Sequence, residues 1–202
     1  MWTSFTQTLR PAIVLLTLFT LLTGIAYPLL ITGVAQVLMP YQAGGSLIQD
    51  RTGVRGSVLI GQSFAAADMF HGRPSAAGKG YDAASSAGSN LAPGAPDLAK
   101  RISGDVAALR RDGVTGQIPA DLVTTSASGL DPDISPAAAA LQVPRVAKAR
   151  GLPTGEIEAA VAAATTTPAL GLLGDPRVNV VALNRALIET TNRHKAATPA
   201  KP

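Results

Sequence analysis

Charge is missing from a long stretch near the start of the chain. Between Arg10 and Asp50 there is no Asp, Glu, Lys or Arg, and Ala12 to Leu38 is dominated by Leu, Ile, Val, Ala and Thr. A hydrocarbon core about 30 Å thick needs about 20 helical residues, so residues 11–38 are predicted to form one membrane-spanning helix behind a short tail, residues 1–10. Its large apolar side chains each favour insertion by roughly 0.3–0.6 kcal/mol near the helix centre. Pro11 suits a first helical turn. Arg10, Trp2, Tyr27 and Tyr41 suit the headgroup level, and Pro28 is expected to bend the lower part. A cleaved signal peptide is the competing reading, because Gly33 and Ala35 form a small-x-small pair. Signal h-regions, however, run only about 7 to 15 residues, which favours a retained anchor. The positive-inside count sets Arg10 and the α-amine against the more distant Arg51 and Arg55, and places the tail inside and the domain outside.

Beyond a Gly-containing joint, residues 39–45, the pattern changes to short apolar runs broken by turn residues. Leu47-Ile48 and Ser57-Val58-Leu59-Ile60 read as the strands of a hairpin, with Gly53 and Gly56 between them. Gly72 to Pro96 has almost no large apolar side chain and reads as a long irregular excursion, a feature that is usually functional or disordered. Leu98, Ile102, Val106 and Leu109 recur at helical spacing between Asp97 and Gly113, which predicts an amphipathic helix. Leu122-Val123-Thr124-Thr125 is β-branched enough for a strand. Ser135-Pro136 reads as an N-cap with proline at N1, opening a helix that ends at Gly151 and that Pro144 should kink or divide. Thr154 can cap a further helix carrying Ile157 and Val161. Val178-Asn179-Val180 leads into a helical run through Leu183, Leu187 and Ile188, and residues 193–202 read as a disordered tail. Strands and helices in no strict alternation predict one small α+β domain, residues 46–192, outside the membrane.

Composition narrows the function more than the fold. The chain has 17 Lys+Arg against 13 Asp+Glu and a net charge of +4, without the clustered basic stripe that nucleic-acid binding requires. Cysteine is absent, so there is no disulfide framework, thiolate metal site or cysteine nucleophile. His71 and His194 stand in a Gly/Pro-rich loop and a polar tail, in no recognised metal-ligand spacing. Asp131-Pro132-Asp133 reads as a turn before a helix cap rather than a calcium loop. Gly78-Lys79-Gly80 lacks the spacing of a phosphate-binding loop, and neither Ser126 nor Ser128 sits in a G-x-S-x-G elbow. No catalytic residue, metal ligand or cofactor of its own is expected. Of the two alternatives, a cell-envelope enzyme lacks a catalytic constellation, and a membrane-tethered solute-binding module lacks aromatic pocket material beyond Phe64, Phe70, Tyr81 and Tyr41.

An ordered series of short words runs along the chain. Arg10-Pro11-Ala12 precedes the anchor, with Thr23-Gly24 and Tyr27-Pro28-Leu29 inside it. Gly45-Ser46-Leu47-Ile48, Gly56-Ser57, Leu59-Ile60-Gly61-Gln62, Phe64 and Gly72-Arg73-Pro74-Ser75 follow. Ser89-Asn90-Leu91, Pro119 with Leu122-Val123-Thr124, Ser126 with Ser128-Gly129-Leu130-Asp131, Ile134, Gln142, the run Arg145 to Arg150, and Val178-Asn179-Val180 with Leu183-Asn184 complete it. Over about residues 10 to 188 this series resembles the C subunit (KdpC) of the Kdp potassium-importing P-type ATPase of bacteria and archaea. The departures are Gly44 in place of the usual Asn, Met69 where an aromatic residue often precedes Phe70, and Asp133 at a variable polar site.

The resemblance implies a non-catalytic subunit of a high-affinity potassium uptake pump in the bacterial cytoplasmic membrane. Its implied partners are a potassium-binding channel-like subunit, an ATP-hydrolysing P-type subunit and a small membrane subunit. ATP and potassium would be handled by the complex. The family is described as required for assembly and as raising the ATP affinity of the hydrolysing subunit, and that nucleotide role would transfer to Gln142 in the Gln-x-Pro-Arg-Val run. A domain outside the membrane, however, cannot touch cytoplasmic ATP. Two surfaces are expected to meet partners. One is the loop from Arg73 to Asn90 with the Ser126 to Asp131 turn, including Ser128. The other is an anchor stripe of Thr20, Gly24, Pro28 and Thr32, whose small residues allow close helix packing.

Overall fold

The computed structural model describes the backbone of residues 2–168, 171 and 174–197, with side chains from Gln7 to Thr191 within that range. The chain divides into two compact units, Met1–Arg55 and Gly56–Pro202. The side chains of Trp2 and His194 and the tail beyond Ala197 lie outside the described residues.

In the first unit, helix α1 (Trp2–Leu21) passes through a π-helical turn (Leu22–Ala26) into α2 (Tyr27–Leu38). Helix begins before Pro11, which lies inside α1 rather than at its first turn. Pro28 has no N–H to offer the Gly24 carbonyl, and the wide turn immediately before it absorbs the loss. The expected effect of the proline is therefore expressed as a π-bulge. Gln7–Leu38 is long and apolar enough to cross a membrane. A one-turn helix α3 (Pro40–Ala43) follows, and then the hairpin of β1 (Leu47–Asp50) and β2 (Gly53–Ser57). The second strand lies at 53–57 rather than at the expected 57–60. The Asp50 carboxylate accepts from the Thr52 amide (2.7 Å) and closes the turn early, so the strand takes in both glycines that read as turn residues.

The core of the second unit is formed by α5 (Pro136–Arg150), α6 (Thr154–Ala164) and α7 (Val180–Ala197), packed on a three-stranded antiparallel sheet. Sheet order is β3 (Asp133–Ile134), β5 (Arg177–Asn179), β4 (Thr165–Thr166), with Ile134 opposite Val178 and Thr165 opposite Val178. Phe70, Ile157, Leu183, Val146 and Val178 are fully buried there. The amphipathic helix α4 (Pro96–Arg111) forms as its periodicity predicts, though it has no fully buried residue. The Ser135 hydroxyl caps α5 by accepting from the Ala138 amide (3.0 Å), and Gly151 ends it at φ +64°. Pro144 neither divides α5 nor ends it. It faces outward, where its missing amide is tolerated.

Three other expectations are corrected. Residues 122–125 form no strand: Ala120–Leu122 is a 3₁₀ turn, because Leu122 and Val123 are buried in succession rather than alternately, which a strand exposed on one face cannot do. Thr154 starts α6 as its first residue, behind an N-cap at Pro153, and makes no side-chain cap. The last helix runs to Ala197, past the expected end of order at 192. The domain is mixed helix and sheet, yet helix predominates and its strands are two to five residues long.

Candidate functional site

Residues 61–95 contain one short 3₁₀ turn, Ala83–Ser85, and otherwise no regular element. A loop of this length leaves its backbone groups without ladder partners, and buried ones must find side chains. Asn184 on α7, 0% exposed, accepts from the Phe70 amide (2.8 Å) and donates to the Phe70 carbonyl (2.9 Å). Gln142 on α5, 3% exposed, does the same for His71: Oε1 accepts from its amide (2.8 Å) and Nε2 donates to its carbonyl (3.0 Å). Two adjacent loop residues are thus each gripped by a carboxamide from a different helix.

The remaining valences of Gln142 are also used. Nε2 donates to the Ala138 carbonyl (3.3 Å), and Oε1 accepts from Arg145 Nη2 (2.8 Å). A carboxamide can donate two and accept two hydrogen bonds, so every one is committed inside the domain. The geometry gives Gln142, the residue to which a nucleotide contact would transfer, a structural task.

Further along, Arg73 reaches across to the turn at 124–131. Its Nη1 meets Asp131 Oδ2 at 3.0 Å, and its other nitrogens donate to the Thr124 and Thr125 carbonyls (both 3.4 Å). The Asp131 carboxylate also accepts from the Asp133 amide (3.0 Å). Ser75 Oγ donates to the Gly129 carbonyl (2.6 Å) and accepts from the Tyr81 amide (2.8 Å), while the Tyr81 hydroxyl donates to the Arg73 carbonyl (2.7 Å). The Ala87 amide (3.1 Å) and Ser86 hydroxyl (2.9 Å) both donate to the Ser128 carbonyl. Of the loop residues expected to meet a partner, Arg73, Ser128 and Asp131 are brought together, and Asn90 lies just beyond the Ser86–Ala87 staple. Arg73 and Asp131 are half-buried and face each other, whereas Ser128 and Asn90 are exposed. Tyr81 (φ +57°) and Asn90 (φ +51°) hold left-handed backbone conformations, which cost free energy in non-glycine residues and persist only where surrounding contacts fix them.

Two clefts flank this frame. One, about 460 Å³, is lined by His71, Arg73, Tyr81, Asp105, Gln142 and Arg145 among others. The other, about 670 Å³, lies between α5 and the turn after α4, with Asp112, Thr115, Arg145 and Lys148 on its walls. Of the four aromatic residues counted as pocket material, Phe64 and Tyr81 line the smaller cleft, whose other walls are mainly charged and small residues. Burial lowers the pKa of His71, with Arg145 adding to the effect, and burial raises that of Tyr81. Asp133 is raised by burial and by Asp131, against the opposing Arg177 guanidinium at 3.1 Å.

Sequence reasoning missed Asn184, Tyr81 and Arg150 as framework residues. Arg150, its side chain 3% exposed, ties α5 to the Asp68 carbonyl (2.6 Å) and the Leu187 carbonyl (3.1 Å). For Asn184 the available signal was a carboxamide four residues after Val180 and three before Leu187, on the apolar stripe of its helix. In the anchor, Thr20, Gly24, Pro28 and Thr32 all lie on the apolar helix, with Gly24 inside the π turn. That turn re-phases α2 against α1, so a stripe drawn at uniform α-helical pitch does not carry straight across it.

A mixed helix-and-sheet domain with a polar-clamped loop, in a chain that carries one helix long and apolar enough to cross a membrane, fits a membrane-anchored subunit. Residues 9–189 match the family described as KdpC, K+-transporting ATPase, c chain, and the chain belongs to that family. It is 59% identical over 180 residues to the potassium-transporting ATPase KdpC subunit of Caulobacter vibrioides, covering 89% of this chain and 91% of the relative. The KdpC subunit of Gemmatimonas aurantiaca is 59% identical over 183 residues, covering 90% and 92%. That of Methylorubrum extorquens is 51% identical over 197 residues, covering 92% and 98%.

Proposed function

We propose that this chain is a non-catalytic assembly subunit of a potassium-importing ATPase. Its helix packs beside the ion-selecting subunit, and its domain, on the outer side of the membrane, presents the 73–90 loop and the 126–131 turn to that partner. The observation that carries this reading is the fixed irregular loop: Arg73, Ser75 and Tyr81 spend part-buried hydrogen bonds on holding the 73–90 segment, in which Ala77 is the one buried apolar side chain. Such preorganisation is wasted on a spacer but lowers the ordering cost of binding. ATP and potassium are handled by the other subunits. An effect on nucleotide affinity would be transmitted through the assembled complex, since Gln142 has no hydrogen-bonding valence left for a nucleotide.

The test is recovery of the complex from membranes in mild detergent by a tag on this chain. Asn90→Ala is expected to reduce recovery of the ATPase and channel-like subunits by more than its loss of stability accounts for, alanine at φ +51° costing about 1 kcal/mol. Gly24→Leu is expected to reduce recovery where Leu22→Val does not. Full recovery with both Asn90→Ala and Gly24→Leu would reject both docking surfaces. The two clefts support a second reading, a tethered solute-binding module, because their volumes fall in the range usual for small-molecule sites. A chain purified without partner subunits but stabilised by a small solute would favour it.

A further inference from the structure

The first unit carries exposed apolar side chains beyond the end of its helix. Leu47 on β1 is 41% exposed and Val54 on β2 is 58% exposed, in a hairpin that also bears Arg51 in its turn and Arg55 on β2. The hairpin is not on a loose tether. The Gly44 amide donates to the Pro40 carbonyl (2.9 Å), the Gly45 amide to the Gln42 carbonyl (3.0 Å) and the Ser46 amide to the Tyr41 carbonyl (3.0 Å), while the Tyr41 hydroxyl donates back to the Ser46 carbonyl (3.2 Å). Every residue of the joint from Pro40 to Ser46 lies in or between these bonds.

Helix length sets the height of the hairpin. At about 1.5 Å per residue the helix from Arg10 to Leu38 is about 42 Å long. At an ordinary tilt of about 20° it spans about 40 Å along the membrane normal. A bilayer with its headgroups is about 40–45 Å thick. With Arg10 at one headgroup layer, Leu38 therefore reaches the other, and the hairpin starts there. Its chemistry suits that layer. Arg55 Nε holds Asp50 Oδ2 at 2.6 Å, which neutralises the one acidic group, while Arg51 makes no hydrogen bond or ion pair among the described residues. Apolar side chains beside an unpaired cation suit the acyl–headgroup boundary of an anionic leaflet, where each basic residue contributes about 1 kcal/mol.

We propose that the β1–β2 hairpin is a second membrane contact: Leu47 and Val54 enter the headgroup layer and Arg51 binds anionic phospholipid. This rests on the reading of Gln7–Leu38 as a membrane span, but does not depend on which side the domain occupies. Because the chain has no cysteine, single labelled sites are clean. The full chain would be placed in nanodiscs of phosphatidylcholine with or without phosphatidylglycerol. Fluorophores at Val54→Cys, Leu30→Cys and Ala107→Cys would then be challenged with lipids carrying a quencher at the headgroup or deep in the acyl chain.

The Val54→Cys label is expected to be quenched by the headgroup probe several-fold more than the Ala107→Cys label, and more so with phosphatidylglycerol present. Arg51→Gln should remove that extra increment. Quenching no greater than at Ala107→Cys would overturn the proposal, as would an Arg51→Gln variant that keeps the full phosphatidylglycerol effect. Deep quenching at Leu30→Cys reports the span separately, so failure of the span and failure of the hairpin contact are distinguishable. In the purified complex, loss of the Val54→Cys quenching would assign the patch to a neighbouring subunit and also overturn the proposal.

Discussion

The helical core and the long loop of the second unit are stabilised by different means. Between α5, α6 and α7 the buried groups are Val, Ile, Leu and Ala at helical spacing, and burial of apolar area, worth roughly 25 cal/mol per Å², is indifferent to which neighbouring atoms supply it. In the loop, Asn184, Gln142, Ser75 and Arg73 each meet particular backbone atoms. A hydrogen bond is directional, and an unmet buried partner costs about 1–3 kcal/mol. The core should therefore tolerate change of shape at constant volume, and the loop should tolerate almost no change of chemistry at its clamps.

The largest effects separate these two modes. Leu183→Ala removes a fully buried side chain and is expected to cost roughly 2–5 kcal/mol, lowering the stability of the whole unit in denaturant titrations. Asn184→Leu, one residue along the same helix, keeps the volume and leaves both Phe70 backbone groups unpaired, at a cost of about 3 kcal/mol. Its signature differs: hydrogen exchange at Phe70 and His71 should rise by more than the global loss accounts for. Equal acceleration throughout the unit would erase the distinction between core and loop.

A glycine pair sharpens the contrast. Gly129 sits at φ +66°, and a Cβ there would lie 2.6 Å from the Ala87 carbonyl oxygen and 2.7 Å from the Ala77 nitrogen. Gly129→Ala is expected to destabilise by about 2 kcal/mol or more and to free the 75–88 segment to proteolysis. Gly104 on α4 has open space around its Cβ position, so Gly104→Ala should stabilise by roughly 0.5–1 kcal/mol. Thermal melts of the two variants should shift in opposite directions. The Arg73–Asp131 pair comes next in size. It is part-exposed and screened, so Asp131→Asn should cost at most about 1 kcal/mol, yet Arg73 would lose its ion pair and keep only the long contacts to Thr124 and Thr125, and recovery of the complex should fall by more than stability does.

What could be read from the sequence follows the same division. Helix α4, the Ser135 cap and the Val178–Leu187 run are repeating patterns or local signals, and each is found where it was expected, while the anchor segment is helical but its helix begins before Pro11. The apparent strand at Leu122-Val123 failed because β-branched composition describes a half-buried surface, and here two neighbours point inward through a 3₁₀ turn. The clamps were out of reach because their partners lie 71 residues away for Gln142 and His71 and 114 for Asn184 and Phe70. No local pattern encodes that separation. The family words fell on several of these residues, including Gln142, Arg73 and Leu183-Asn184, but a word does not say whether its residue faces a partner or the chain's own backbone.

The smallest expected effect concerns His71, whose backbone is held by Gln142 while its ring stands in the cleft. Its Nε2 is 3.1 Å from the Ala66 carbonyl oxygen, and the Arg145 guanidinium is close enough to repel a proton. Burial first, and Arg145 second, hold its pKa below the usual 6.5. In the unfolded chain His71 protonates near 6.5, whereas in the folded chain it resists. Over that interval the unfolded state binds more protons, and stability falls as pH drops from about 6.5 toward the folded pKa. The raised carboxylates Asp105 and Asp133 act in a lower window: each holds its proton above the usual 3.8 when folded, so their contribution is lost as pH rises through that range. The two windows start from different values, so the step near 6.5 belongs to the histidine. His71→Gln keeps the backbone clamp and removes the titration. Melting temperatures of the full chain in detergent, measured from about pH 7.5 down to 5.5, should fall less steeply in that variant than in the parent. Identical slopes would mean that the ring meets water freely and that the cleft is wetter than its walls imply.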